Sequence, residues 1–189
     1  MKKNVWKIAL KTTVPVFLGY ISCGIAFGFV TVNAGYPWWL ATLMSIFIFA
    51  GAGQFVAIPL FASDAPILVI LLTELFLNIR HIVYGLPLIN QFRECKRFKP
   101  YLIFALTDET FSLLTTTTPP PDIPVEDYFV TISLLDQLYW VAGSTIGALA
   151  GVMIPFDTTG VDFALTALFA VLCIEQIKKF INTRKEKCL

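Results

Sequence analysis

Glu74, Asn78, Arg80 and His81 lie close together inside an otherwise apolar run, Ala65 to Ile89. That run is about 25 residues long, enough to cross a hydrocarbon core of about 30 Å. A charged side chain at such depth costs at least ~2.5–3.5 kcal/mol on insertion scales, so it marks a functional candidate. On a 3.6-residue helix Glu74, Asn78 and His81 share one face, and Arg80 and Tyr84 form the neighbouring stripe. The chemistry open to this set is recognition of a charged solute or movement of a proton. Arg80 can hold a carboxylate, and His81, the only histidine, changes charge nearest neutral pH. Two plainer readings stay open: hydrogen bonding that holds a helix bundle together, and a structural His81 bonded to a backbone carbonyl.

Two further clusters carry polar chemistry. Thr107-Asp108-Glu109-Thr110-Phe111 puts adjacent carboxyls in the middle of an apolar segment. Neighbours on a helix point about 100° apart, so one carboxyl can pair with Arg80 while the other faces a cavity; a purely structural ion pair is the alternative. In Ala50-Gly51-Ala52-Gly53-Gln54-Phe55 the glycines either permit close helix packing or mark an unwound helix. In the second case free amides and Gln54 face a substrate, and the following half-helix offers its N-terminal end to a carboxylate. Asp136 lies two turns into a later segment. Glu175 sits near Lys178 and Lys179, as an interface pair would.

Other chemistries find no residues. Cys23, Cys95, Cys173 and Cys188 are scattered without a C-x-x-C, as free thiols are. A lone histidine with no H-E-x-x-H cannot build a usual zinc site, and no G-x-S-x-G is present, so an intramembrane enzyme is not expected. No Walker A occurs, so this chain does not hydrolyse ATP. No cofactor is expected.

These residues must be positioned by membrane helices. The chain is 57% hydrophobic and 14% charged, with mean hydropathy +0.74, against roughly 25% charged in soluble domains. No Lys, Arg, Asp or Glu occurs between Thr12 and Ser63. The apolar stretches are continuous and do not alternate as barrel strands do. The fold expected is an all-α integral membrane protein, a single polytopic domain over residues 1–189 with about six transmembrane helices. They fall near Thr13–Val32, Trp38–Phe61, Ala65–Ile89, Tyr101–Thr117, Tyr128–Ile154 and Val161–Ile181, with a break in the second near Gly51–Gly53. Net charge of +1 implies no nucleic-acid partner. The lysines ahead of the first helix precede an apolar stretch too long for a signal h-region and no A-x-A site follows, so an uncleaved anchor is expected.

Leu72-Thr-Glu-Leu-Phe76 echoes Leu165-Thr-Ala-Leu-Phe169, which suggests two inverted three-helix repeats, residues 12–90 and 100–181. The positive-inside rule makes both termini cytoplasmic. One loop resists that scheme. Asn90–Pro100 holds Arg93, Lys96, Arg97 and Lys99, yet three crossings would put it outside. Either the basic termini outweigh it, or one apolar segment dips in and returns, and Ala50–Phe55 is the place to expect that.

With these motifs in hand, the chain resembles the AzlC family, the large subunits of bacterial branched-chain amino-acid exporters. The strings that carry the likeness are FAGAGQF (Phe49–Phe55), LNIRHIVYG (Leu77–Gly85), TDETF (Thr107–Phe111) and DFALTALF (Asp162–Phe169). The resemblance implies a permease of the cytoplasmic membrane that exports valine, leucine and isoleucine together with a small AzlD-type membrane subunit. Family members continue past DFALTALF into further apolar sequence, whereas this chain stops at Leu189, which raises the question of a partner supplying helices. An amino-acid zwitterion fits the residues. Arg80, Asn78 and the Gly51–Gly53–Gln54 region are the candidate substrate contacts, with Asp108 or Glu109 for the ammonium. His81 and Glu109 are the candidates for coupling to protons. A passive channel lined by the same residues, or a permease for another small zwitterionic or organic solute, is the alternative.

Overall fold

The computed structural model describes residues 2–154; the expected sixth segment, Glu175 and the second copy of the suspected repeat lie outside them. Within the described residues every element is helical: α1 (Lys2–Asn33), α2 (Trp38–Phe47), α3 (Gly51–Ala62), α4 (Ile67–Asn78), α5 (Arg80–Glu94), α6 (Lys99–Phe104), α7 (Asp108–Thr116) and α8 (Val125–Met153). Among the described residues only α1 and α8 are unbroken helices long enough to span a bilayer, about 48 and 43 Å at 1.5 Å per residue. The expected segments Trp38–Phe61, Ala65–Ile89 and Tyr101–Thr117 are each made of two pieces.

Helices α1 and α8 run parallel, in contact through small residues. Gly24 faces Gly143 and Ser144, and Gly28 faces Gly147 and Ala148, while Gly151 meets Phe29 and Val32. A Cβ on Gly24 would lie 2.9 Å from the Ser144 nitrogen, and one on Gly147 would run into the Ile25 backbone. This is the small-x-x-x-small packing that lets helix backbones approach in a membrane. Hydrogen bonds from Thr13 Oγ1 to Tyr139 Oη (3.1 Å) and Thr12 Oγ1 to Tyr128 Oη (3.3 Å) extend the contact toward the N-terminus.

The second segment doubles back. Thr42 bonds Thr145 (2.8 Å), Ser45 bonds Ser144 (2.8 Å), and Gln137 Nε2 donates to the Ile46 carbonyl (3.0 Å), so α2 runs antiparallel to α8. The chain then breaks at residues 48–50. Ile48 and Phe49 both give their amides to the Met44 carbonyl, closing α2, and Phe49 sits at φ +46°. That left-handed conformation is uncommon for a non-glycine residue. Its buried ring packs against Tyr20 and Phe104, with centroids 6.3 and 6.4 Å away. From there α3 travels parallel to α1, with Phe55 on Phe27 (5.5 Å). The single helix expected over Trp38–Phe61 is therefore two half-helices. The reversal is at Phe49, just ahead of Gly51, and the glycines serve the start of α3. A Cβ on Gly51 would lie 3.1 Å from the Trp140 ring.

Together α4 and α5 traverse the bundle with one interruption, at Ile79. Its cause is local. The Asn78 carbonyl, which an unbroken helix would give to the Ile82 amide, accepts instead from His81 Nδ1 (3.0 Å), and Ile82 N–H turns to the Ile79 carbonyl (3.1 Å). A side chain has displaced a backbone donor. Residue 94 ends α5, so the break expected over Asn90–Pro100 shrinks to residues 95–98. Glu126 Oε1 accepts from the Arg97 and Phe98 amides, 2.8 Å each, which fastens this loop to the start of α8.

The fourth segment doubles back from the other end. After α6 the chain breaks at residues 105–107, and α7 returns antiparallel to α8, with Thr110 on Asp136 and Leu114 in the apolar cluster around Tyr128, Phe129 and Ile132. Thr107 caps α7 by accepting from Thr110 N–H (3.2 Å), which satisfies one of the unpaired amides at a helix start.

Three segments thus run end to end, and two enter and return, one from each end of the bundle. The loop 95–98 lies at the same end as the N-terminus because Trp38–Phe61 dips in and comes back. All described Lys and Arg residues except Arg80 belong to helix ends or loops at that end.

Candidate functional site

The three discontinuities lie against one another. Phe49 of the α2–α3 break touches Phe104 beside the α6–α7 break, Gly53 at the start of α3 abuts Glu74 and Asn78, and Arg80, just past Ile79, meets Asp108 at the start of α7. Interrupted backbone of this kind is tolerated within a membrane where it is buried in protein or lines a cavity.

Arg80 Nη1 donates to Asp108 Oδ2 at 2.6 Å, with the side chains 28% and 27% exposed. It is the only ion pair among the described residues. Arg80 Nε is buried and has no hydrogen-bond partner among them, so the guanidinium has donor capacity left. One turn earlier, Asn78 Nδ2 donates to the Glu74 carbonyl and to Glu74 Oε2, 2.9 Å each. Glu74 Oε1 and Asn78 Oδ1 are also buried without partners. A Cβ on Gly53 would stand 2.5 Å from Glu74 Oε2, so a larger residue there would push the Glu74 carboxyl from its place beside Asn78. Two unused acceptors and an unused cationic donor therefore occupy consecutive turns.

The other expected residues divide. Glu109 does not face Arg80; its Oε2 accepts from Tyr20 Oη at 2.8 Å. His81 makes the backbone carbonyl bond that its structural reading called for, with Nδ1 as donor and its ring edge-on to Tyr84. Gln54 is fully buried and its amide is already engaged: Trp140 Nε1 donates to Oε1 (2.9 Å) and Nε2 donates to Ser45 Oγ (3.2 Å). The Gln54 side chain thus pins α3 to α8 and α2, and in this conformation it turns away from open space. The Gly51 position is covered by Trp140. What the start of α3 still offers is its first-turn backbone amides, which no intrahelical partner satisfies.

Sequence reasoning missed Tyr20, Thr107, Thr110 and the placement of Asp136. Asp136 is fully buried and accepts from Thr110 Oγ1 at 2.8 Å, while its Oδ1 has no partner among the described residues. A lone tyrosine in an uncharged helix gives no local hint of such a link. A lateral groove of about 380 Å³ opens beside the site, apolar along Ile82, Leu86, Ile89 and Ile103, with His81 at one end and Lys99 at the other.

The described residues, an all-helical bundle with apolar outer faces and one ion pair beside interrupted helices, define an integral membrane protein with a polar site among its helices. The chain belongs to the AzlC family, whose model, described as AzlC protein, matches residues 15–154. It is 41% identical to an uncharacterized membrane protein of Helicobacter pylori over 95% of this chain and 78% of that protein. It is 37% identical to the branched-chain amino acid transport protein AzlC of Bacillus subtilis, over 94% and 71%. With the inner membrane protein YgaZ of Escherichia coli the identity is 29% over 84% and 68%. No solved structure matches the chain.

Proposed function

We propose that the chain is a permease of the bacterial cytoplasmic membrane that exports branched-chain amino acids, coupled to protons and assembled with a small AzlD-type subunit. Family membership supports amino-acid transport. The observation that carries the site is Arg80, half-buried and paired with Asp108, with its buried Nε unused. In this reading Arg80 and the first-turn amides of α3 at Gly51–Gly53 hold the substrate carboxylate. Glu74 Oε1 and Asn78 Oδ1 receive its ammonium, with Asp108 balancing Arg80. The groove beside Ile82 and Leu86 takes the aliphatic side chain. Gln54 supports the half-helix, and Glu109 and His81 are the candidates for proton exchange. The end of the bundle bearing Lys7, Lys11, Arg93, Lys96, Arg97 and Lys99 faces the cytoplasm, as the positive-inside rule asks.

A passive channel is the second reading, favoured by two hairpins of half-helices that enter from opposite ends and meet at Phe49 and Phe104. One experiment addresses both. Cells expressing the chain together with a small AzlD-type subunit are loaded with a valine-containing dipeptide, and valine efflux is followed against external pH. A permease is expected to export valine against its gradient and to do so at a pH-dependent rate. Efflux only down the gradient would favour the channel, and no efflux of valine, leucine or isoleucine would overturn the assignment. His81→Gln is the companion variant. Export equal to the parent at every pH leaves His81 a helix-interrupting residue only.

A further inference from the structure

A half-buried carboxyl, Glu109, and a fully buried one, Asp136, are joined by an unbroken chain of hydroxyls. Tyr20 Oη lies 2.8 Å from Glu109 Oε2 and 2.6 Å from Thr107 Oγ1, Thr107 Oγ1 lies 3.0 Å from Thr110 Oγ1, and Thr110 Oγ1 lies 2.8 Å from Asp136 Oδ2. The chain draws on α1, on the break before α7, on α7 and on α8. Tyr20, Thr107, Thr110 and Asp136 are all buried, so the three links among them are shielded from water.

Counting hydrogens decides what the chain holds. There are four oxygen–oxygen links but three hydroxyl hydrogens. With both carboxyls ionised, Tyr20 donates to Glu109, Thr110 donates to Asp136, and Thr107 donates to either Tyr20 or Thr110. One of the two middle contacts, Tyr20–Thr107 (2.6 Å) or Thr107–Thr110 (3.0 Å), would then have no hydrogen in it, leaving two oxygen lone pairs facing each other in a dry site. One added proton fills every link. If it sits on Glu109, that carboxyl donates to Tyr20, Tyr20 to Thr107, Thr107 to Thr110 and Thr110 to Asp136. If it sits on Asp136, all four bonds reverse.

We infer that Glu109, Tyr20, Thr107, Thr110 and Asp136 form a proton relay holding one shared proton, which passes between the carboxyl beside the Arg80–Asp108 pair and Asp136. In one transfer the Asp136 O–H bond breaks as Thr110 gains that proton. Thr110 passes its own to Thr107, Thr107 to Tyr20, and Tyr20 to Glu109. Four O–H bonds break and four form, and no hydroxyl is left charged. The titratable or charged groups around the relay are Cys23 on α1, Arg80 and Tyr84 on α5, Tyr101 on α6 and Asp108 on α7. Arg80 is the only cation among them, and it already faces Asp108. The relay rests on the proton-coupled reading for its use, but its existence does not.

The test therefore has two readouts, both on the full chain in lipid vesicles. Infrared spectra of the parent should show a protonated carboxyl C=O band that shifts in Tyr20→Phe and Thr110→Val and returns toward the parent in Thr110→Ser. In transport, Tyr20→Phe and Thr110→Val should keep valine exchange at equal pH on both sides. They should slow pH-gradient-driven valine movement by about 10²-fold, the scale set by losing one positioned proton-transfer group; Thr110→Ser should restore it. No protonated carboxyl band in the parent, or unchanged gradient-driven transport in both Tyr20→Phe and Thr110→Val, overturns the relay. So does a Thr110→Ser variant as slow as Thr110→Val. A parent that exchanges no valine overturns the transport reading alone, and the infrared band still decides the relay.

Discussion

Adding one methyl group at Gly147 should separate the two long helices. The Cβ of Gly147→Ala would lie 2.6 Å from the Ile25 Cα and closer still to the Ile25 carbonyl oxygen. Carbon atoms settle about 3.5–4.0 Å apart, so α1 must retreat by about 1 Å. The obstacle is backbone, which cannot rotate away as a side chain can. Overpacking of this kind costs about 1–3 kcal/mol, and Gly147 belongs at the upper end because the shift loosens contacts along the whole crossing. Gly143→Ala, 2.9 Å from the Ile21 carbonyl oxygen, should cost less, and Gly151→Ala less again, since its nearest neighbour is the Phe29 ring at 3.2 Å. Gly19, in the same α1, has nothing within 4 Å, so Gly19→Ala should be neutral or stabilise by about 0.5–1 kcal/mol through helix propensity. Reversible unfolding in detergent, followed by the fluorescence of buried Trp140, would rank the four. Gly147→Ala as stable as Gly19→Ala would refute the parallel, backbone-close crossing.

Other perturbations have equally definite outcomes. Arg80→Gln or Asp108→Asn alone leaves an unpaired charge and should cost near the lower end of the broken buried-pair range, about 3 kcal/mol, because both groups are about a quarter exposed. The double variant should regain stability but not export, and recovery of export would make the pair structural only. Gln54→Ala orphans Trp140 Nε1 and should cost about 1–3 kcal/mol, with a shift in the Trp140 emission; an unchanged spectrum would contradict the α2–α3–α8 network. A cysteine at Lys96 should react with impermeant reagent from the same side as one at Lys7, and one at Asp64 from the opposite side. Labelling of positions 96 and 7 from opposite sides would rule out the doubled-back second segment.

What the sequence disclosed depended on how local the signal was. Helical class and the segment positions followed from apolar run length. The pairing of Arg80 with Asp108 followed from the cost of burying either alone, which leaves few partners to choose from. The return of Trp38–Phe61 was foreshadowed by charge: Arg93, Lys96, Arg97 and Lys99 could not sit opposite the N-terminal lysines without conflict. The α6–α7 break had a usable sign too, since Thr107 followed by Asp108 and Glu109 is a helix N-terminus pattern, overlooked because the run around it looked continuous. The glycines at 24 and 28, and at 143, 147 and 151, likewise have the four-residue spacing of a close crossing. The link from Tyr20 to Glu109, and the engagement of Gln54 by Trp140, had no such sign. They join residues 89 and 86 positions apart, and nothing in either residue's neighbourhood names the other.

The broken helices have a consequence for how the protein is made. Half-helices of 10 and 12 residues, as in α2 and α3, reach only about 15 and 18 Å, too short for either to enter a bilayer alone as a spanning segment. The insertion machinery meets Trp38–Ala62 as one apolar stretch. The groups that hold its reversal open, Trp140 on Gln54 and Ser144 on Ser45, belong to α8, about ninety residues further along the chain. At about 5–20 residues per second, they arrive several seconds after Ala62 has left the ribosome. The bend at Phe49 is thus a late event, set when α8 docks, and α8 acts on the earlier segments as a template on which an already inserted chain is refolded inside the membrane.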